Sequence, residues 1–196
     1  LKILFLGSVF SEEALRINPA TNQASHNWSK GFLNALKDKS FQVDCVSFKN
    51  EQIWPKSKIF VKKDLNDFDN NFKTYPISYL NFPLLRSLSL SFSFYFRLKK
   101  ILEINKYDIV FSYNLYPWNH RSFKLFRNNK TLNIPIILDE DNPLKNNWRS
   151  FHAKSKNTDG LVFLSYWGFK NYPFKKKCYH LDSGSSSWMG YSDFKN

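Results

Sequence analysis

The sequence predicts an α/β protein, a three-layer α/β/α sandwich around a mainly parallel sheet of about six or seven strands. Three observations carry this expectation. Short apolar runs of strand length recur along the chain, as at Leu1–Gly7, Phe41–Phe48, Tyr107–Tyr113, Ile134–Asp139 and Gly160–Ser165. Apolar strands of this kind belong to a sheet covered on both faces. Segments of helical spacing separate several of them, and parallel strands need such crossovers. At 196 residues the chain is long enough for one sizeable core.

Taken in order, Leu1–Gly7 ends in glycine and suits a buried first strand. Ser8–Ser25 is polar, carries the turn signal Asn18-Pro19, and is read as a loop. Ser25 or Asn27 is placed to cap a helix over 27–39, where Trp28, Phe32, Leu33 and Leu36 recur at helical spacing. Phe41–Phe48 is the second strand. Residues 49–71 are polar and irregular, with a short strand at Ile59–Val61, and Lys73–Tyr79 is a further strand. Asn81–Asn105 carries two patterns. Ser87–Phe94 alternates with period two, as a strand does, while Leu84, Leu88, Phe92, Tyr95 and Leu102 align at helical spacing and Pro83 fits a first turn. The crossover requirement decides for helix. Tyr107–Tyr113 is a strand, Trp118–Asn129 a helix, Ile134–Asp139 a strand and Asn147–Lys156 a short helix. Gly160–Ser165 and Lys177–Leu181 are the last strands, and the Ser- and Gly-rich stretch after Asp182 reads as a domain exit.

Lys and Arg number 29 against 16 Asp and Glu, a net charge of +13. Such a balance attracts polyanions, namely nucleic acid, anionic lipid or a phosphorylated small molecule. The lysines are scattered, clustering only at Lys175-Lys176-Lys177, and no nucleic-acid-binding motif is present, so a basic nucleic-acid-binding module is the weaker alternative. A dinucleotide-binding enzyme is disfavoured because no Gly-x-Gly-x-x-Gly follows the first strand. Cys45 and Cys178 lie in strand-like runs without metal-ligand spacing and are read as buried free thiols, which favours a cytoplasmic setting. Leu1–Gly7 is too short for the apolar part of a secretory signal.

The second half of the chain holds an ordered series: Tyr-Asp-Ile-Val-Phe-Ser-Tyr-Asn over 107–114, Ile-Pro-Ile-Ile-Leu-Asp-Glu-Asp over 134–141, Thr-Asp-Gly-Leu-Val-Phe-Leu-Ser over 158–165, and Lys-Lys-Cys-Tyr-His-Leu-Asp-Ser-Gly over 176–184. This series resembles the Rossmann-like N-terminal domain of GT-B glycosyltransferases, especially the retaining group called family 4. The resemblance implies an acceptor-side domain over 1–182 and a hinge or exit over 183–196 toward a C-terminal donor-binding domain. A nucleotide-diphosphate sugar would be the co-substrate, held mainly by that second domain, and no cofactor is implied. The acceptor would be a glycan or lipid-linked glycan, and this half alone would be inactive. Two departures stand out. The Gly-Gly pair common after the family's first strand is absent, since the loop reads Gly7-Ser8 and later Asn18–Ser25. The histidine many members carry after the fourth-strand region is replaced by Tyr113-Asn114.

Ligands of open α/β sheets bind beyond the carboxyl ends of the strands, so candidate residues are sought there. Asp139-Glu140-Asp141-Asn142 places three carboxylates at one strand end, suited to orienting an acceptor hydroxyl, or equally to a solvated turn with Asp141 or Asn142 as a cap. No histidine lies near them in sequence, and no metal site is expected. Tyr113, Asn114, Tyr116, Trp118 and Asn119 combine aromatic faces with amides and form a candidate acceptor wall, or a simple cover for the sheet edge. His120 beside them is a candidate general base. Gly7, Ser8, Asn22, Ser25 and His26 form a candidate loop on the donor-phosphate side, because a helix N-terminus offers free backbone N–H groups. Helix capping by Ser25 is the plainer account. Ser165–Trp167 is a further strand end. Ser183–Trp188 reads as a hinge, since no lysine follows it as in a P-loop. Arg86, Arg97, Lys99 and Lys100 flank the apolar stretch 82–98, which is read as a crossover helix, with peripheral contact at the inner membrane face as the other possibility.

Overall fold

The computed structural model describes residues 1–17, 22–137 and 148–181. Seven strands form one all-parallel sheet in the order β4-β2-β1-β6-β7-β8-β9. They are β1 (Lys2–Leu6), β2 (Gln42–Phe48), β4 (Lys73–Ile77), β6 (Ile109–Tyr113), β7 (Leu132–Ile137), β8 (Leu161–Phe163) and β9 (Cys178–His180). The remaining pair, β3 (Phe60–Val61) and β5 (Tyr79–Leu80), makes a separate antiparallel ribbon. The order runs outward in both directions from β1 and β6, so the switch point lies between these two strands.

Side chains of β1 alternate between two cores, as the pleat requires. Ile3 and Phe5 pack with Val43, Cys45 and Leu33, on the face covered by α2 (Gln23–Asp38). Leu4 and Leu6 enter the larger core of the other face. That core is built by α3 (Leu85–Ile104) through Leu90, Phe94, Leu98 and Ile101, by Phe123 and Phe126 of α5 (Phe123–Asn128), and by Phe151 of α6 (Trp148–Ser155). Phe94 and Leu98 are fully buried, and each such side chain stabilises the fold by about 1.5–3 kcal/mol.

The helical assignment for 81–105 holds over its period-two pattern, because residues 90, 94, 98 and 101 line up on one buried stripe. Other expectations change. Ser8–Ser25 contains a helix, α1 (Glu12–Ile17), which buries only Ala14 and therefore leaves little periodic signal. α2 begins at Gln23 and not at 27: Asn22 is its cap, its Oδ1 accepting the Ser25 N–H at 3.1 Å, so neither Ser25 nor Asn27 serves. Lys73–Tyr79 is divided, β4 ending at Ile77 and Tyr79 crossing to the ribbon. The single helix over 118–129 is two, α4 (Pro117–His120) and α5, separated at Arg121-Ser122. A further helix, α7 (Tyr166–Asn171), follows β8 and is capped by Ser165, whose Oγ accepts the Gly168 N–H. Both cysteines are free, but only Cys45 is fully buried; Cys178, on the last strand, is half-buried. No helix among the described residues is long and apolar enough to cross a membrane.

Candidate functional site

The carboxyl ends of β1 and β6 border a cavity of about 560 Å³. It is built by three layers of sequence. At its floor lies the Gly7-Ser8 turn. Gly7 is required there because a Cβ would stand 2.5 Å from Cε1 of Phe5, whose buried ring has no room to move, and 3.3 Å from Cβ of Tyr113. Two hydroxyls fix the turn: Ser47 Oγ donates to the Gly7 carbonyl at 2.5 Å and Ser8 Oγ to the Phe48 carbonyl at 2.9 Å.

The second layer is the first turn of α2, which contributes Asn22, Ser25, His26 and Ser29. Tyr113 ties it to β6, its hydroxyl donating to Ser25 Oγ at 2.6 Å. His26 is 3% exposed, and the Phe10 N–H donates to its Nδ1 at 3.1 Å. Burial lowers its pKa, the nearby Lys30 lowers it further, and Asp69 opposes both. The ring is therefore neutral near pH 7, and with Nδ1 accepting, its proton is on Nε2. His26 thus offers a hydrogen-bond donor. Lys30 is itself paired with Asp69 at 3.0 Å.

The third layer is aromatic. Tyr113, Tyr116 and Trp118 stand in a row, with ring centroids 6.4 Å and 5.5 Å apart and planes within 20° of parallel. Trp118 is anchored from behind by Phe94 at 4.4 Å and Phe48 at 5.2 Å. Flat, near-parallel faces beside hydroxyls suit a ring that is apolar on its faces and polar at its edge.

The structure thus brings Gly7, Ser8, Asn22, Ser25 and His26 together with Tyr113, Tyr116 and Trp118 around one cavity. It does not bring Asn114, Asn119 or His120 there. Asn114 has a left-handed backbone (φ 56°), and both asparagines are buried, with Asn119 Nδ2 donating to the Asn114 carbonyl at 3.0 Å. Their amides brace the β6–α4 turn. His120 is half-buried, its Nδ1 3.2 Å from the Tyr116 carbonyl of its own helix, and is absent from the cavity lining. Ser165–Trp167 is likewise absent from it. Asp139, Glu140, Asp141 and Asn142 lie outside the described residues, as do 183–196.

The far wall was not foreseen in the sequence. Phe48 comes from the end of β2, and Asn50, Ile53, Leu84 and Ser87 from the irregular region and the start of α3. Phe48 alone carried a signal, since it ends β2. Among the described residues Arg86 is the one fully charged residue of the cavity lining; its guanidinium donates to the Glu51 carbonyl at 2.9 Å and to Asn50 Oδ1. Among the described residues no group of three His, Cys, Asp or Glu side chains is placed to hold a metal ion.

No protein-family model and no curated protein matches the chain. Solved structures do. One is Phytolacca americana UGT2 in its apo form, a plant UDP-glycosyltransferase, with a TM-score of 0.57 at 8% identity. The fold is GT-B-like. The match takes in 94% of this chain and 52% of that structure, so the chain spans about half the length of the protein it matches. The likeness is to the GT-B fold in general, and the narrower resemblance to family 4 rests on the strand motifs alone.

Proposed function

We propose that this chain forms the acceptor-side half of a glycosyltransferase and that the cavity between β1 and β6 receives the acceptor. The observation that carries this reading is the union, at the switch point, of an aromatic row with a cluster of hydroxyl, amide and imidazole N–H groups. The apolar and polar elements match the two characters of a sugar ring. The wider support is a GT-B-like fold spanning half of a two-domain architecture.

In the proposed reaction a glycan or lipid-linked acceptor hydroxyl attacks the anomeric carbon of a nucleotide-diphosphate sugar. The acceptor O–C bond forms, the bond from carbon to the diphosphate oxygen breaks, and the hydroxyl proton passes to the departing phosphate. Described residues that line the cavity include no carboxylate, and His26 holds its available proton on Nε2. A route in which the leaving group takes the proton is the retaining course that the resemblance of the strand motifs to family 4 implies. His26 and Ser25 would then orient the acceptor hydroxyl or meet a phosphate oxygen. Most of the diphosphate stabilisation, the main electrostatic contribution in such chemistry, would come from a C-terminal partner domain.

Calorimetric titration of this chain tests the reading. Short alkyl glycosides are expected to bind saturably in the millimolar range, about 4 kcal/mol of binding free energy, whereas UDP and GDP bind more weakly or not at all. Tight nucleoside-diphosphate binding, or no saturable glycoside binding, would overturn it.

A further inference from the structure

α3 is apolar on both sides. Its inner stripe fills the core, yet Leu84, Leu88, Phe92 and Phe96 recur every fourth residue on the opposite side and are 93%, 43%, 59% and 59% exposed. Leu85 and Tyr95 widen the stripe. The β3–β5 ribbon extends it. Ser89 of α3 exchanges hydrogen bonds with Leu80, accepting the Leu80 N–H at 3.1 Å and donating to its carbonyl at 3.0 Å, which straps β5 to the flank of the helix. Leu80 is in register with Phe60, and Ile59, Phe60 and Leu80 are all exposed. At the helix start, exposed Trp54 stacks on Phe82 at 5.3 Å. Exposed large apolar side chains gathered on one helix side and the ribbon strapped to it mark a contact site.

Cations surround it. Lys99 and Lys100 follow Phe96 on the exposed side of α3, and Glu103 is the one acidic group of the helix. Lys58, Lys62 and Lys63 flank β3 and are exposed, as are Ile59 and Phe60, and Asp64 follows them. From Leu85 to Lys100 there is no carboxylate over about 24 Å of helix.

A second copy of the chain fits this surface badly. A two-fold contact would set these lysines against each other, between two chains that each carry +13. An anionic bilayer matches both the apolar centre and the basic border. We propose that α3 and the β3–β5 ribbon form a membrane-docking face. On it the helix lies parallel to an anionic lipid surface, with Leu88, Phe92 and Phe96 in the headgroup–acyl boundary. Ile53 and Leu84 belong both to the cavity lining and to this exposed apolar region, so the mouth of the cavity opens at its edge. An amphiphilic ligand could then enter the cavity without leaving the interface.

The test is co-flotation of the chain with phosphatidylcholine vesicles, with and without about one third phosphatidylglycerol. Binding to the anionic vesicles is expected to be at least ~10-fold tighter than to the neutral ones and to weaken at high salt. Phe92→Ser with Phe96→Ser should weaken it by a further ~10-fold. Both side chains are already exposed, so circular dichroism and melting temperature should be unchanged. Failure to float with anionic vesicles, or flotation indifferent to the double substitution, would overturn the proposal. So would a concentration-dependent dimer in light scattering that the same substitutions dissolve, since a second copy would then cover the face. None of these results touches glycoside binding in vesicle-free solution, so the acceptor reading stands or falls separately.

Discussion

The two ends of the parallel sheet solve opposite problems. At the amino end, Asp44 is 1% exposed, yet Tyr107 donates its hydroxyl to Oδ2 at 2.6 Å and Lys2 approaches the same oxygen to 3.7 Å. Lys2 Nζ also donates to Asn105 Oδ1, and the Lys2 N–H to Asp108 Oδ2 at 2.7 Å. The polar groups there satisfy one another, and β1, β2 and β6 are locked together. At the carboxyl end, hydroxyls, an imidazole and aromatic rings that include the Tyr113, Tyr116 and Trp118 row border open volume. The groups at this end are bonded internally too, Tyr113 to Ser25 Oγ and Ser8 Oγ to the Phe48 carbonyl, but they lie along a cavity wall, where a ligand can meet them. Substitutions at the two ends should therefore separate stability from binding.

The largest effect is expected at the closed end. Asp44→Ala removes the partner of a buried tyrosine hydroxyl and of a half-buried lysine. It should cost about 3 kcal/mol of stability, read as a lowered urea midpoint at unchanged slope, with glycoside affinity of the remaining folded protein unaltered. Tyr107 titrates far above the usual tyrosine range because burial and the hydrogen bond to Asp44 both disfavour its ionised form. It therefore stays a donor at any working pH.

Gly7→Ala sharpens the comparison because Gly7 serves both functions. Its Cβ would collide with the Phe5 ring and crowd Tyr113. A loss of about 1–3 kcal/mol is expected together with weaker glycoside binding. Loss of stability alone would show that the turn shapes the core and not the cavity. At the open end, Tyr116→Ala removes the middle ring of the aromatic row. Glycoside affinity should fall by ~10-fold while the urea midpoint moves less than for Asp44→Ala.

The same contrast explains what the sequence revealed. Strands were legible because β1 and β6 are largely apolar runs, as a doubly covered sheet demands, and β2 keeps Val43, Cys45, Val46 and Phe48 around its polar residues. Half of the cavity was legible because strand ends and the first turn of α2 are local features. Its far wall was not, since Asn50, Ile53 and Leu84 come from an irregular stretch whose position is set by nonlocal bonds, such as Arg86 to the Glu51 carbonyl and Trp54 N–H to the Asn81 carbonyl. Asn114 and Asn119 look like ligand groups in sequence, but both are buried and outside the cavity lining, Asn119 Nδ2 donating to the Asn114 carbonyl and Asn114 Nδ2 to the Tyr116 hydroxyl. α1 went unseen because six residues burying one alanine leave no periodicity to read.

The smallest effect, and the most discriminating, concerns His26. Its pKa is lowered in the folded chain, first by burial and then by Lys30, with Asp69 acting against them. The unfolded chain therefore binds a proton more readily. Stability from this group is fully present above the unfolded value of 6.5 and is lost as pH falls from there through the lower folded pKa. Melting temperature should fall on acidification below about pH 6.5, and His26→Gln should flatten that part of the profile. Asp69, whose pKa is lowered by the Asn71 N–H and Lys30 despite burial, contributes its own loss only near and below 3.8, so the two are separable. Glycoside affinity supplies the second readout. Gln offers an N–H to the cavity but has no proton to gain, so the variant should bind glycoside within a few-fold of the parent at pH 7 and lose the parent's change in affinity below pH 6.5. An affinity that still changes there in His26→Gln would assign that titration to another group and leave His26 as a structural brace for the Phe10 N–H.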